Sequence, residues 1–186
     1  MLATATTPLH ASDFVVWKTV KIGTHKSLAD LQSTLEKKGV ILASGSSVIL
    51  HAPEFVLSAE EKELDLVRVT LDELGLKGDK GVDHWDVLKR AHEIGLRLCP
   101  PAVGPELALI CEKEDLTDRY GLVIGMPLMA DPWCNPQTFF LCYEEEYSSS
   151  GEYINATNVV VLSGAHDGPD YRWHRTTTGI FVKLRR

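Results

Sequence analysis

A first stretch of the chain repeats leucine three or four positions apart, at Leu28, Leu31 and Leu35. This spacing places the three side chains on one face of a helix. Ser27 precedes the stretch and is a candidate N-cap, because its hydroxyl can accept a hydrogen bond from an unpaired amide. Gly39 follows two lysines and is a candidate C-terminal stop. The pattern predicts an amphipathic helix between these two caps.

A second helical pattern begins after Asp83, another good N-cap, and ends at Gly95. A helical wheel collects its apolar and histidine side chains on one arc and its charged side chains on the other. The arc that we expect to face the core holds His84, Trp85, Val87, Leu88, Ala91, His92 and Ile94. The sequence therefore predicts a second helix that covers a core with one face.

Elsewhere apolar and polar residues alternate with period two, which is typical of strands. The predicted strands cover residues 14–22, 64–71, 107–111, 122–129, 138–143, 158–162 and 180–184. Residues 40–57 stay ambiguous between helix and strand, because their apolar runs are short. Turn-forming clusters separate the later strands, and short sequential strands of this kind favour an antiparallel meander.

The segment Gly95–Leu109 separates the two kinds of pattern, because three prolines and a second glycine impose an irregular connection on it. We therefore expect residues 1–186 to form a single domain, with a flexible N-terminus at 1–12, a mixed α/β part at 13–98 and a β-rich part at 99–186. The predicted fold class is α+β. A mostly antiparallel β-sheet is expected to be covered on one side by the two helices.

The chain also resembles an uncharacterised family of bacterial proteins. The resemblance runs from the strand that holds Val67 through Gly95–Pro100 and Val103–Leu107, and extends to Asp170–Trp173 and Gly179–Val182. It implies a bacterial source and a cytoplasmic location. The family has no established activity, so the resemblance assigns no functional residue.

Charge and composition exclude several classes of partner. The formal net charge is −7, and the chain has no cluster of basic residues. Because nucleic-acid binding requires such a cluster to neutralise phosphates, we expect no nucleic-acid partner. No apolar stretch approaches the length that spans a bilayer, and the N-terminus lacks the pattern of a signal peptide. These features predict a cytoplasmic protein without a membrane partner.

The four cysteines include no Cys-x-x-Cys pair, so they predict neither a zinc ribbon nor a thioredoxin motif. We expect reduced thiols, partly buried. Cys99 is a candidate nucleophile with His84 or His92 as its base, although a buried core cysteine is the plainer interpretation. The two histidines are eight residues apart on one helix, which separates them by about 12 Å, too far to bind one metal ion. We expect no metal site and no cofactor.

The densest polar chemistry lies in residues 163–174. This segment contains His166, Asp167, Asp170, Tyr171, Arg172, Trp173 and His174. Imidazoles and carboxylates so close together can act as acid and base, and an aromatic beside an arginine is a common binding anchor. Alternatively, the segment is a hairpin loop whose tryptophan covers an edge of the core.

Two classes of function remain open from the sequence. The first is a small cytoplasmic binding or accessory module that acts through surface loops on an unknown protein or small-molecule partner. The second is a hydrolase-type enzyme that uses the Asp/His loop at 163–174 or Cys99. We predict the first class, because the sequence contains no recognised catalytic motif. If a site exists, we expect the loop to line it.

Overall fold

The computed structural model describes residues 9–78, 80–116, 121–131, 136–147, 153–166 and 172–185. The helices in these ranges are α1 (Leu28–Lys38), α2 (Ser44–Leu50), α3 (His84–Glu93) and α4 (Val103–Ile110). The strands are β1 (Lys18–Ile22), β2 (Ile41–Leu42), β3 (Lys62–Thr70), β4 (Val82–Asp83), β5 (Leu122–Ile124), β6 (Met129–Ala130), β7 (Pro136–Tyr147), β8 (Tyr153–His166), β9 (Arg172–Trp173) and β10 (Thr178–Lys183). Short 3₁₀ turns occupy Ala11–Asp13 and Lys113–Asp115.

Most of the strands join one mixed sheet. Its 8 strands follow the order β1-β3-β10-β5-β7-β8-β2, with β6 paired to the start of β7. The pairs β10–β5 and β2–β8 are parallel, and the other pairs of this sheet are antiparallel. Strands β4 and β9 form a separate two-stranded sheet. The predicted class, α+β with a mostly antiparallel sheet, is confirmed, but the main sheet is mixed.

Helices cover both faces of the sheet, which corrects the prediction of two helices on one side. Along β3, Leu66 packs into one core and its neighbour Val67 into the other, because successive strand residues point to opposite faces. The α1-side core also contains Leu31 and Leu35 of α1, and it includes residues of α2 and α4. The α3-side core contains the buried face of α3. The two predicted helices therefore lie on opposite faces, and two further helices join α1.

Helix α4 corrects a second prediction, because residues 107–111 are helical up to Ile110 and were expected to form a strand. Val103, Leu107 and Ala108 are all buried, so almost every side of the helix faces protein. An apolar run buried on all sides carries no helical period, and alternation within it arises by chance. Gly104 allows the close packing: a Cβ there would lie 2.6 Å from the Phe139 ring.

The ends of α3 agree with the sequence. The Asp83 side chain accepts a hydrogen bond from the amide of Trp85, and Gly95 has φ 91°, the left-handed conformation of a helix stop. The buried face is narrower than the predicted arc, since Trp85 is 59% exposed and His92 is exposed as well. Both sit at the edge of the arc, where the wheel alone does not separate core from surface. The core-facing residues are His84, Val87, Leu88, Ala91 and Ile94.

The remaining predictions change in detail. The strand expected at 14–22 begins only at Lys18, and Val15 before it is 85% exposed. The ambiguous stretch 40–57 contains β2 and α2, both too short for a readable period. In the described part of the chain, no helix has both the length and the apolar composition to cross a membrane.

Helix α2 rests on β8 through two glycines. A Cβ on Gly164 would lie 2.6 Å from the carbonyl carbon of Gly45, and a Cβ on Gly45 would lie 2.8 Å from the Gly164 oxygen. The two backbones therefore touch directly. The amide of Ala43, the N-cap of α2, donates to the carbonyl of Leu162 at 3.0 Å and fixes the start of the helix on the same strand.

We expect Gly164→Ala to destabilise the protein, because the added methyl group meets backbone atoms that have no side-chain freedom to move aside. Overpacking of this kind costs ~1–3 kcal/mol. Urea denaturation measures the loss. The variant Ser47→Ala, on the exposed face of α2, is the control and should change stability by less than about 0.5 kcal/mol. Equal stabilities for the two variants would contradict the close packing.

Candidate functional site

The structure describes only part of the segment predicted as a site. Asp167, Asp170 and Tyr171 lie outside the described residues, as does the side chain of His166. The backbone of His166 ends β8 and pairs with Gln137 of β7. The described side chains of the predicted set are those of Arg172, Trp173 and His174, which belong to β9 and the turn after it.

Trp173 points into the protein. It is 1% exposed, packs in the α3-side core, and its indole N–H donates to Nδ1 of His84 at 3.0 Å. Arg172 and His174, its neighbours, are both exposed. The described end of the predicted site therefore contributes one buried anchor and two solvent-facing side chains.

His84, the partner of Trp173, is a buried histidine held in its neutral form. Burial lowers the pKa of His84 to about 4 from 6.5, against weaker opposite effects of the Met126 backbone and Asp83. The unfolded chain takes up a proton near 6.5 and the folded chain only near 4. The stability that neutral His84 contributes is thus present above pH 6.5 and is lost as the pH falls toward 4.

Cys99 lies in the α1-side core, away from solvent. It is 1% exposed, and its thiol donates to the carbonyl oxygen of Ile180 at 3.3 Å. Burial raises the pKa of the Cys99 thiol far above its usual range. Because the thiolate is the nucleophile, this environment disfavours nucleophilic chemistry. Cys111 is a second buried free thiol, with its pKa raised to about 12, mainly by burial.

A surface cleft of about 690 Å³ lies between α2 and the end of β6, within the size range of small-molecule sites. Strand β7 lies between β6 and β8 at this end of the sheet. Its Gln137 pairs with Met129 of β6 on one side and with His166 of β8 on the other. The cleft therefore lies at the end of the sheet where the predicted segment 163–174 begins. Its lining residues are Ser44, Ser47, Val48, His51, Ala52, Pro53, Glu54, Ala130 and Asp131. We call this group the α2 cleft.

The α2 cleft combines aliphatic side chains with two carboxylates. Val48, Ala52 and Ala130 supply aliphatic surface, and Glu54 and Asp131 supply two carboxylates. Among the residues that the structure describes, the lining includes no lysine or arginine. Within the described ranges, no three His, Cys, Asp or Glu side chains are grouped as a metal ion would require. The cleft is therefore an acidic site with an apolar base.

His51 adds a directional group to the α2 cleft. It is the C-cap residue of α2, and its Nδ1 lies 2.8 Å from the carbonyl oxygen of Ser47. Because a carbonyl only accepts, Nδ1 carries the proton in this contact, and in the neutral ring Nε2 is then the acceptor. The side chain is exposed, so this nitrogen is accessible from solvent.

A second polar group lies between the start of α1 and α4, and none of its residues belongs to segment 163–174. Only its glutamate is buried, because the side chain of Asp30 is 50% exposed and that of His25 is 10% exposed. Glu106 of α4 is 5% exposed, and its Oε2 lies 3.5 Å from Nε2 of His25. The other ring nitrogen, Nδ1, lies 3.5 Å from Oδ2 of Asp30. The Thr24 hydroxyl donates to Oε1 of Glu106 at 3.3 Å. We call His25, Asp30 and Glu106 the histidine array.

Sequence reasoning missed both groups. His25 and Glu106 are 81 positions apart, so no local spacing connects them. One signal was present: Glu106 is the only charged residue in the apolar stretch from Leu98 to Ile110, and a buried carboxylate requires a partner. Nothing in the sequence indicated the α2 cleft, because α2 is too short for its helical periodicity to be recognised.

Comparison with known proteins adds no family to these observations. No protein-family model, curated protein or solved structure matches the chain. The bacterial source and the family resemblance therefore stay predictions, and the function rests on the geometry.

Proposed function

We propose that this protein is a small binding module whose α2 cleft takes a ligand with an apolar body and a cationic group. The observation that carries the proposal is the lining of the cleft as far as the structure describes it, in which aliphatic residues lie beside the carboxylates of Glu54 and Asp131 and no lysine or arginine is included. An amine or guanidinium complements such a lining, and an anion is repelled by it. A small molecule or an exposed basic side chain of a partner protein fits equally well.

In this proposal each group at the cleft has a role. Glu54 and Asp131 attract the cation, Val48 and Ala52 cover its apolar body, and Nε2 of His51 accepts a hydrogen bond from it. The direct backbone contact between Gly45 and Gly164 holds α2 in place on the sheet. A preformed cleft loses less conformational entropy on binding than a mobile one.

The hydrolase alternative has less support. Its candidate nucleophile Cys99 is buried with a raised pKa, and Trp173 is an anchor of the core. The described contacts of His51 are to the Ser47 backbone oxygen and not to a hydroxyl. A nucleophile needs its base within hydrogen-bond reach, and none of these residues has that arrangement in the described part of the chain.

Benzylamine and benzoate test the proposal, because they share an aromatic ring and differ in the sign of their charge. We expect millimolar benzylamine to shift the backbone amide resonances of Ser47, Val48 and Ala52 in a saturable way, while benzoate at equal concentration leaves them in place. The variant Glu54→Gln/Asp131→Asn should weaken benzylamine binding by about tenfold, which corresponds to ~1.4 kcal/mol.

The control for this experiment is Glu36→Gln, which removes an exposed carboxylate of α1 outside the cleft. It should leave the benzylamine affinity unchanged. Equal shifts with both probes would mean that the cleft is a nonspecific apolar surface and would contradict its preference for cations. No shift with either probe would mean that the α2 cleft is not the binding site.

A further inference from the structure

A second cleft lies at the end of α3, where the segment before β1 and the end of β10 also meet. Its volume is about 630 Å³, within the size range of small-molecule sites. None of its described lining residues borders the α2 cleft. The lining residues on which its chemistry depends are Val16, Asp65, Ile94, Lys183, Leu184 and Arg185. We call this second site the α3 cleft.

Backbone hydrogen bonds fix the walls of the α3 cleft. The amide of Ala11 donates to the carbonyl of Ile94 at 2.6 Å, which ties the N-terminal segment to the end of α3. Arg97 and Val182 exchange two backbone hydrogen bonds of 2.8 and 2.9 Å, which tie the chain after α3 to β10. Phe14 anchors the N-terminal segment, because its side chain is buried in the α3-side core. The cleft is therefore preformed, and a ligand does not have to order its walls.

Lys183 is held in the α3 cleft by backbone oxygens. Its ammonium group donates to the carbonyl oxygen of Ser12 at 3.3 Å and, more closely, to that of Phe14. An ammonium group has three N–H donors, so one is left after these two contacts. Asp65 lies opposite Lys183 across the β3–β10 pair, yet within the described residues no carboxylate forms an ion pair with Lys183. The described contacts of this ammonium group are therefore to neutral oxygens.

The carboxylate of Asp65 is engaged by Arg185 instead. Nε and Nη2 of Arg185 donate to its two oxygens at 2.8 Å each, and Nη1 donates to Glu63 at 3.0 Å. The hydrogen bonds from Arg185, and then that from Thr19, lower the pKa of Asp65 to about 2, so this carboxylate is ionised at neutral pH. Among the described lining residues, the cations Lys183 and Arg185 face the single carboxylate of Asp65. One positive charge is therefore in excess.

Apolar side chains line the α3 cleft beside these charges. Val16 is 39% exposed and Leu184 is 55% exposed, although both are large hydrophobic residues. They come from opposite ends of the chain and line the same cleft, together with the buried Ile94. A ligand that covers Val16 and Leu184 removes their apolar surface from water, which favours binding. The complementary ligand therefore has an apolar body and a negative group.

We propose that the α3 cleft binds a small-molecule carboxylate with an apolar body, which pairs with the ammonium group of Lys183 and covers Val16 and Leu184. The carboxylate accepts the remaining N–H of the ammonium group in a charge-assisted hydrogen bond. A cationic ligand is repelled by the excess positive charge. The inference goes beyond ligand binding at the α2 cleft and does not depend on it, because the two clefts share no described lining residue and prefer opposite charges.

Benzoate and benzamide test the α3 cleft without any change to the protein, because they have nearly the same shape and only benzoate is charged. We expect millimolar benzoate to shift the backbone amide resonances of Gly95 and Leu184, which line the cleft, in a saturable way. Benzamide should bind there about tenfold more weakly, because it cannot form the ion pair with Lys183. Equal affinities for the two molecules, or no saturable shift with benzoate, would overturn the proposal.

Two lysine variants make the outcome specific. Lys183→Met keeps an unbranched side chain but removes the charge, so it should weaken benzoate binding by about tenfold. Lys37→Met makes the same replacement at an exposed lysine of α1 outside both clefts and should leave the benzoate affinity unchanged. An unchanged benzoate affinity in Lys183→Met would contradict the proposal. If this variant fails to fold, the comparison of benzoate with benzamide still decides.

The two proposed sites can fail separately, because each has its own probe and its own resonances. Benzylamine is read at Ser47 and Val48 of the α2 cleft, and benzoate is read at Gly95 and Leu184 of the α3 cleft. Loss of one response leaves the other cleft unaffected.

Discussion

Trp173→Ala is expected to lower the free energy of unfolding by ~3–5 kcal/mol, the range for removing a buried aromatic side chain. Trp173 is 1% exposed, lies against Gly179, and donates its indole N–H to Nδ1 of His84. The substitution therefore opens a cavity and also removes the donor that faces Nδ1 of a buried imidazole. Equilibrium urea denaturation at neutral pH measures the loss.

The chain offers a matched control in Trp85, which is the same residue type at 59% exposure on the neighbouring helix. Trp85→Ala should cost less than about 1 kcal/mol, as is usual for surface positions. His174→Ala, at the exposed neighbour of Trp173, should also leave stability nearly intact. If Trp173→Ala and Trp85→Ala were equally stable, Trp173 would not be a core anchor, and its predicted binding role would regain support.

Leu88→Ala is expected to cost ~2–5 kcal/mol, because it removes most of a buried side chain from the face of α3. Leu88 is 4% exposed and packs in the α3-side core, which α3 supplies with several of its residues. The same denaturation experiment applies. Leu184→Ala, at a leucine that is 55% exposed, is the matched control and should change stability by less than about 1 kcal/mol.

An effect of Leu88→Ala smaller than about 0.5 kcal/mol, the usual range for surface changes, would contradict the burial of this face. Separate controls, Trp85→Ala and Leu184→Ala, are needed because removing a tryptophan and removing a leucine leave cavities of different size. Comparing each buried residue with an exposed one of its own type separates the cost of the cavity from the cost of changing the residue.

The sequence predicted well those helices whose ends are marked by capping residues next to them in the chain. Ser27 and Gly39 bound α1, and Asp83 and Gly95 bound α3, as expected from capping and from the left-handed stop. Their burial pattern could also be predicted, because each helix has one solvent-exposed polar face and one buried apolar face. A local pattern of this kind does not tell which face of a distant sheet a helix will cover, so the placement of both helices on one side was wrong.

The sequence failed to predict elements that are buried on nearly all sides. Helix α4 is buried almost all round, so its apolar residues have no helical period, and the stretch from Leu107 was interpreted as a strand. The candidate sites follow the same logic. His25 meets Glu106 only after β1, α1 and α4 have packed, and α2 borders the cleft from a position where Gly45 contacts Gly164 of β8. A single sequence can indicate that a buried carboxylate such as Glu106 needs a partner, but it does not show which distant segment supplies that partner.

The position of β10 has a consequence for synthesis of the chain. Although β10 comes last among the strands, it lies between β3 and β5 and hydrogen-bonds to both. On the ribosome, β1 and β3 can pair early, and β5, β7 and β8 can pair later, but the two groups have no shared strand until residues 178–183 emerge. The nascent chain must keep the inner edges of β3 and β5 apart from other strands until then, since unpaired edges are sites of aggregation. We therefore expect closure of the sheet to be a late event, because it requires the long-range pairing of β3 with β10.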